Sequence, residues 1–245
     1  MAGRNKWISL GVLALLIALL PLFFPSGYYY RVGALIFVNA LSVVGLVILI
    51  GYAGQISLGH AGFAGIGAYA CALAPEHLGL HPALAVLLGA VVSGVMAALI
   101  GKPILRLKGY YLAVATLGFG ILVSMVLTNE RALTGGPDGM NVADLGLRDL
   151  LRDVGWRLSG GEFWYMICGV VLLIGAWLAL NLFDSPSGRA MRALHGSEVA
   201  AATVGVDVPR QKLRAFVISA VYASVAGSLL ALQNGYITPD VAGFM

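Results

Sequence analysis

Seven apolar segments run through this sequence, and no Asp, Glu, Lys or Arg interrupts the interior of any of them. They cover residues 7–24, 32–50, 61–74, 82–101, 110–128, 163–183 and 213–236. Most are close to the roughly 20 residues that an α-helix needs to cross a bilayer. Apolar residues make up 60% of the chain and charged residues 11%, which is more apolar surface than a soluble domain of this length can bury. The sequence therefore predicts an all-α, polytopic bundle of about seven transmembrane helices.

The distribution of basic residues predicts the orientation of this bundle. Lysine and arginine concentrate before the first segment, between the fourth and fifth, and between the sixth and seventh: Arg4, Lys6, Lys102, Arg106, Lys108, Arg189, Arg192, Arg210, Lys212 and Arg214. If the short segment 61–74 crosses the membrane, all of these residues lie on one side, which the positive-inside rule makes cytoplasmic. We therefore predict a cytoplasmic N-terminus, a broken glycine-rich third helix, a cytoplasmic loop at 184–214 and a periplasmic loop at 129–162.

The N-terminal apolar segment has two interpretations, a cleaved signal peptide or a retained span. Arg4 and Lys6 precede it, as in a signal peptide. The apolar run is long for a signal peptide, however, and no small-x-small cleavage motif follows it, so we favour a retained span. The whole chain, 1–245, is interpreted as a single transmembrane domain.

Several functional classes are disfavoured by the residues that the apolar segments lack. Carriers driven by protons or sodium usually need an ionisable side chain at membrane depth, and none is found there. We find no nucleophile, acid–base pair or metal cluster for an enzyme, because His60 has no second ligand nearby in the sequence. Cys71 and Cys168 lie inside apolar segments and are interpreted as small buried hydrophobes. The basic residues indicate membrane orientation and do not predict nucleic-acid binding. We expect no metal and no cofactor.

The stretch 51–69 carries the strongest local pattern. Its glycines predict close packing of helix backbones or a helix break at membrane depth: Gly51, Gly54, Gly59, Gly62, Gly65 and Gly67. Gln55, Ser57 and His60 are the polar side chains best placed to line a translocation path; each alone is better explained by a helix–helix hydrogen bond, but for the stretch as a whole we favour a position beside the path. Thr116 and Asn39 are weaker candidates, and Thr116 could instead bond its own helix backbone.

The loop 184–214 has the pattern of two short helices. Ser185 and Pro186 suit an N-cap and the first helical position, while Ser197 suits the cap of a second helix that stops at Gly205. The first helix places Met191 and Leu194 on one face, with Arg189 and Arg192 beside them, and the second contains Glu198, Val199 and Val204. Two interpretations remain open: a docking site for another protein, with these apolar residues as contacts, or a surface connector whose arginines fix topology.

A family resemblance adds to these patterns. Residues 51–74, 109–119 and 134–140 are similar to the M-type inner-membrane permease of branched-chain amino acid ABC importers, the LivM family. Glu198, Ala200, Ala201 and Gly205 resemble the Glu-Ala-Ala…Gly pattern through which ABC permeases contact their ATPase. The resemblance extends from about residue 38 to residue 240. Two departures accompany it: the Ile-x-Leu-Pro ending of the ATPase-contact motif is absent, and family members usually continue for several more spans, so we expect a C-terminally truncated chain.

The resemblance implies a multi-pass permease of the bacterial inner membrane that imports leucine, isoleucine and valine. It also implies a homologous H-type permease subunit as partner, two cytoplasmic ATPases that bind the ATP, and a periplasmic binding protein that delivers the solute. The turn cluster Gly135-Gly136-Pro137-Asp138-Gly139 is a candidate site for that binding protein. The alternatives are an ABC permease for urea, amides, sugars or another small solute, and a channel or facilitator that works without ATP.

Overall fold

The computed structural model of the protein describes residues 2–146 and 159–243. Its helices are α1 (Ala2–Leu19), α2 (Gly27–Leu46), α3 (His60–Leu78), α4 (Pro82–Ile104), α5 (Tyr110–Asn129), α6 (Arg131–Thr134), α7 (Gly160–Asp184), α8 (Pro186–Gly196), α9 (Glu198–Thr203) and α10 (Val208–Asn234). Three 3-10 turns (Leu20–Phe23, Gly136–Asp138, Pro239–Ala242), a π-helical turn (Val47–Tyr52) and two short strands, β1 (Met140–Asn141) and β2 (Tyr236–Ile237), complete the described part.

Six helices in the described residues are long and apolar enough to cross a membrane: α1 with the turn after it, α2 with its π-helical turn, α4, α5, α7 and α10. Each overlaps one of the apolar segments found in the sequence, and the helix ends differ from the segment ends by a few residues. The prediction of an all-α polytopic bundle is therefore confirmed.

The third predicted span is less apolar than the six, but the fold carries the chain through the bundle there. Gly54, just before α3, packs against His195 of the loop 184–214. At the other end of α3, Pro75 and Glu76 line one cleft together with Arg131, which follows α5. The segment from Gly54 to the end of α3 therefore makes a seventh pass between opposite ends of the bundle.

All the loops predicted to be cytoplasmic meet at one end of the bundle, called the inner end here. Lys6 Nζ forms an ion pair with Asp184 at the end of α7. Lys102 in the last turn of α4 and Arg106 just after that helix line one crevice together with Arg210 at the start of α10. The opposite end, with the loop predicted to be periplasmic, is called the outer end.

Helix α10 is the centre of the bundle and packs on α2, α3 and α4. Small residues let its backbone approach α3 closely. A Cβ added at Gly227 would lie 2.0 Å from the Ala64 carbonyl oxygen, and one added at Gly67 would lie 2.1 Å from the Ser224 carbonyl oxygen. The hydroxyl of Ser228 also donates to the Gly67 carbonyl at 2.9 Å. Close backbone packing of this kind stabilises helix pairs where lipid removes the hydrophobic driving force.

The outer end is tied together by aromatic rings and by the short β pairing. Phe24 meets Tyr165 edge-on with ring centroids 5.6 Å apart, and the Tyr165 hydroxyl donates to the Ile17 carbonyl at 2.9 Å. The strand β1 pairs antiparallel with β2, so the turn after α5 is held against the end of α10. The loop 129–162 is described only in part, because residues 147–158 lie outside the described residues.

Candidate functional site

The third pass begins with a break in helical structure at residues 53–59. The π-helical turn after α2 ends at Tyr52, Gly54 adopts a left-handed conformation with φ +64, and regular helix resumes at His60. The break contacts Thr116, about 9 Å along α5, and leads to a contact with Ser219, about 16 Å along α10, at the helical rise of 1.5 Å per residue. It therefore enters the bundle from the inner end and lies between helices.

A chain of hydrogen bonds joins the break to α10 and α2. His60 Nδ1 lies 3.1 Å from Ser57 Oγ, and His60 Nε2 contacts Ser219 Oγ. The Ser219 hydroxyl donates its one proton to the Gly45 carbonyl at 2.7 Å, so it must accept from His60, which places a proton on Nε2. In the neutral ring, Nδ1 then accepts from the Ser57 hydroxyl.

Gln55 lies in the same break and is 3% exposed. Within the described residues, neither its amide nitrogen nor its amide oxygen has a hydrogen-bond partner. A buried donor and acceptor without partners cost about 1–3 kcal/mol each. Gln55 is therefore a side chain whose hydrogen-bonding capacity this conformation leaves unused.

The two weaker candidates for the path differ in position. Thr116 is 1% exposed; its hydroxyl donates to the Ala113 carbonyl at 2.9 Å and accepts from the Leu58 amide at 3.0 Å. Thr116 therefore both bonds its own helix and holds the break. Asn39 is exposed, and its amide donates to the Leu35 carbonyl of its own helix. The structure brings Gln55, Ser57, His60 and Thr116 together and leaves Asn39 apart from them.

Four of the six glycines singled out in the sequence pack against neighbouring backbone or a small side chain: Gly59, Gly62, Gly65 and Gly67. A Cβ at Gly62 would lie 3.1 Å from Gly120 Cα on α5, and one at Gly65 would lie 2.4 Å from Ala242 Cβ. Gly54 serves the turn through its positive φ. Gly51 is exposed, and a Cβ there would meet a Val47 methyl at an ordinary 3.5 Å. Within the described part of this chain, Gly51 therefore packs against no neighbouring helix, and its packing role stays a prediction.

The loop 184–214 is called the inner loop here. Its first helix, α8, packs against the break. Met191 is 0% and Leu194 3% exposed, and Met191 shares a core cluster with Leu49 and Ala53. The expectation that Met191 and Leu194 contact another protein is corrected: their stripe is covered by the bundle of this chain. A Cβ at Gly54 would lie 3.3 Å from His195 Nδ1, which shows how closely α8 and the break approach each other.

The caps predicted for the inner loop are confirmed. Ser185 Oγ accepts from the Gly188 amide at 3.0 Å, Ser197 Oγ accepts from the Ala200 amide at 3.2 Å, and Gly205 has φ +87.

Four charged side chains of the loop 184–214 bond within the chain. Arg189 donates to the Asp184 carbonyl at 2.7 Å and Arg192 to the Phe183 carbonyl at 3.2 Å, so both satisfy carbonyls at the end of α7. Glu198 pairs with Lys212, which is 7% exposed.

Four residues of α9 and the turn after it form an exposed surface, called the coupling surface here. It consists of Val199, Ala200, Val204 and Gly205. Val199 is 76% and Val204 77% exposed, whereas Ala201 is buried against the chain. The apolar side chains of the coupling surface are thus left uncovered by the described part of the chain.

Two functional candidates were not found from the sequence. Ser219 lies in an apolar segment and contacts His60, which is distant in the sequence. Lys212 lies in a basic run and pairs with Glu198 of α9. A signal for Ser219 does exist in the serines and small residues spaced along one face of α10, which predict a buried face.

Comparisons with known proteins agree with these features. Residues 29–245 match the family described as branched-chain amino acid transport system / permease component. The chain is 34% identical over 215 residues to the high-affinity branched-chain amino acid transport system permease protein LivM of Salmonella typhimurium, covering 80% of this chain and 51% of that protein. The protein of the same name from Escherichia coli is 33% identical over the same shares.

A relative with a different name is also similar. The ribose import permease protein RbsC of Haemophilus influenzae is 26% identical over 243 residues, covering 96% of this chain and 71% of that protein. No solved structure matches the chain. The chain spans about half the length of the LivM relatives it matches. With the family pattern matched over most of its residues, this chain belongs to the branched-chain amino acid transport system permease family.

Proposed function

We propose that this chain is an inner-membrane permease subunit of an ATP-driven importer for leucine, isoleucine and valine. The names of the LivM relatives support the solute class. The chain itself is a transport subunit and not an enzyme, and we propose that it holds no cofactor, because partner subunits bind and hydrolyse the ATP.

The observation that carries the proposal is the contact between the break and the inner loop. His195 of α8 lies against Gly54, and Met191 fills the core beside Ala53. A displacement of α8 would therefore move the break, which also contains Gln55. Rigid-body movement of packed elements is a common way to change access to a site.

The chemistry of the break suits a zwitterion with an apolar tail. Ser57, His60 and Thr116 are neutral hydrogen-bonding groups, and Gln55 offers both a donor and an acceptor. Sites that conduct must bind weakly enough to release their solute. We propose that the amide of Gln55 bonds the solute transiently when the break opens, while a separate binding protein supplies affinity.

The partners proposed are a homologous H-type permease subunit, two cytoplasmic ATPases and a periplasmic binding protein. The coupling surface is proposed to contact the ATPase through Val199 and Val204, which are exposed apolar side chains. The turn Gly136–Asp138 with its flanking glycines is proposed to receive the binding protein, since it is held firmly by the pairing of β1 with β2.

A second candidate is an ABC permease for a sugar, and the similarity to the ribose permease favours it. The neutral residues of the break would also accept urea or an amide. An ATP-independent facilitator is a third candidate, and the close contact between α8 and the break argues against it.

The deciding experiment is uptake by the whole importer reconstituted in proteoliposomes with its binding protein. We expect ATP-dependent accumulation of radiolabelled leucine that excess valine abolishes and excess ribose or urea leaves unchanged. Accumulation of ribose in place of leucine would assign the second candidate. Leucine entry at the same rate without ATP would refute the coupled mechanism.

A further inference from the structure

A basic crevice of about 680 Å³ opens at the inner end, away from the break. One wall carries Lys102, Arg106 and Lys108, which lie at the end of α4 and in the loop after it. The other wall carries Arg210 and Lys212 from the first turns of α10. The positive-inside rule explains why each loop is basic, but it does not require segments about 100 residues apart to converge on one crevice.

Four of these five basic residues form no ion pair with another residue of 2–146 or 159–243. Lys212 is paired with Glu198, and Asp207 caps α10 by accepting from the Arg210 amide at 3.1 Å. Across residues 2–146 and 159–243, the ion pairs are Lys6–Asp184 and Lys212–Glu198. Glu198 and Asp207 also line the crevice, but among the described residues no carboxylate forms an ion pair with Lys102, Arg106, Lys108 or Arg210.

The lining of the crevice is also partly apolar. Leu105, Val208 and Leu213 lie among the basic residues. The position is at the edge of the apolar belt, because Leu99 on the adjoining part of α4 is 60% exposed and Tyr110 at the start of α5 is 77% exposed. Exposed tyrosines mark the headgroup level of a bilayer. A ligand here meets both cations and apolar groups.

We infer that the basic crevice binds the phosphate headgroup of an anionic phospholipid from the inner leaflet. Basic pockets between transmembrane helices on the cytoplasmic side recognise such headgroups through the phosphate charge. The leucines and Val208 contact the glycerol and the first methylenes, a contribution that a free phosphate lacks. The coupling surface, with Val199 and Val204 outermost, offers apolar side chains in place of unpaired cations, so an ATPase fits there better than in the crevice.

Native mass spectrometry of the permease complex, purified in detergent and titrated with phosphatidylglycerol, tests the inference. We expect saturable binding of phosphatidylglycerol above that of phosphatidylcholine, and no competition from inorganic phosphate at equal concentration. Arg106→Gln and Arg210→Gln remove one cation from each wall. Each is expected to weaken binding about fivefold, the effect of about one basic side chain at an anionic surface.

Arg214→Gln is the matched control, because Arg214 is an exposed arginine one turn further along α10 that does not line the crevice. Its binding is expected to equal that of the unchanged complex, and Arg106→Lys is expected to retain binding. These exposed positions bear little on folding, and an unchanged elution volume in size-exclusion chromatography verifies this.

Three results would overturn the inference. Equal loss of binding with Arg214→Gln would show a diffuse charge effect. Displacement by inorganic phosphate would show a free-anion site. Loss of the ATPase from the complex of Arg106→Gln, with phosphatidylglycerol binding intact, would assign the crevice to protein docking.

Discussion

Gly59 lies so close to Thr116 that a Cβ added to the glycine would be 2.0 Å from the Thr116 carbonyl oxygen. The neighbouring atom is backbone, so it cannot move aside as a flexible side chain does. This contact fixes the end of the break against α5. The chain at the start of α3 can approach α5 this closely because Gly59 has no side chain.

Gly59→Ala is expected to destabilise the protein by about 1–3 kcal/mol, the usual cost of forcing extra atoms into packed structure. The measurement is thermal unfolding of the detergent-purified protein. Gly51→Ala is the matched control, since its Cβ meets a Val47 methyl at an ordinary 3.5 Å. Equal unfolding temperatures for the two variants would contradict the close contact.

Ser219→Ala is expected to lower stability by about 1–3 kcal/mol, because it leaves His60 Nε2 and the Gly45 carbonyl without their partner. Ser93→Ala serves as the control. Ser93 is equally buried, yet its hydroxyl has no hydrogen-bond partner within the described residues. We expect its loss to be neutral or slightly stabilising in the same unfolding assay. If both alanine variants unfold at the same temperature, the hydrogen bonds of Ser219 do not contribute to the free energy of unfolding.

Gln55→Met removes an unpartnered amide and keeps a side chain of similar size. We expect stability to rise by about 1 kcal/mol, since an unpaired polar group is no longer buried. We also expect leucine uptake to fall at least tenfold, because the proposed transient bond to the solute is lost. Asn39→Met is the comparison, with an exposed amide bonded to its own helix. Unchanged leucine uptake by Gln55→Met would contradict the proposed contact between Gln55 and the solute.

Val199→Ser combined with Val204→Ser tests the coupling surface. Both side chains are more than three-quarters exposed, so the change leaves the fold intact. Loss of their apolar contact is expected to weaken ATPase association at least tenfold, since fully burying one such side chain contributes about 1.5–3 kcal/mol and a tenfold change corresponds to about 1.4 kcal/mol. Binding is read from co-purification at graded ATPase concentration. The control is Ala202→Ser, an exposed small residue of the same helix; association unaffected by the double change would place the docking site elsewhere.

The helices and their ends follow closely from the sequence, since apolar run length and cap residues are local properties. Ser185, Ser197 and Gly205 illustrate this: each terminates or begins a helix where its chemistry predicts. The crossing of 61–74 was predicted from charge placement alone, because its glycines lower its hydropathy below that of the other spans.

The candidate site was less predictable because it depends on which face of an element meets which neighbour. The spacing of Met191 and Leu194 correctly predicts an apolar stripe, but periodicity does not distinguish a stripe that meets the same chain from one that meets a partner. Ser219 joins His60 across 159 residues of sequence, a contact that no local pattern specifies. The polar residues of 55–60 were recognisable because they interrupt an otherwise apolar, glycine-rich stretch.

The pairing of β1 with β2 attaches the outer end of α10 to the segment that follows α5. This helix has 27 residues, about 40 Å at the usual helical rise, and its inner end continues directly from the short helices of the loop. At its outer end, the Tyr236 hydroxyl donates to the Asp138 carbonyl and so holds the turn Gly136–Asp138. Helix α10 therefore runs between the two ends of the bundle, and a contact that holds its outer end would also restrain movement at its inner end.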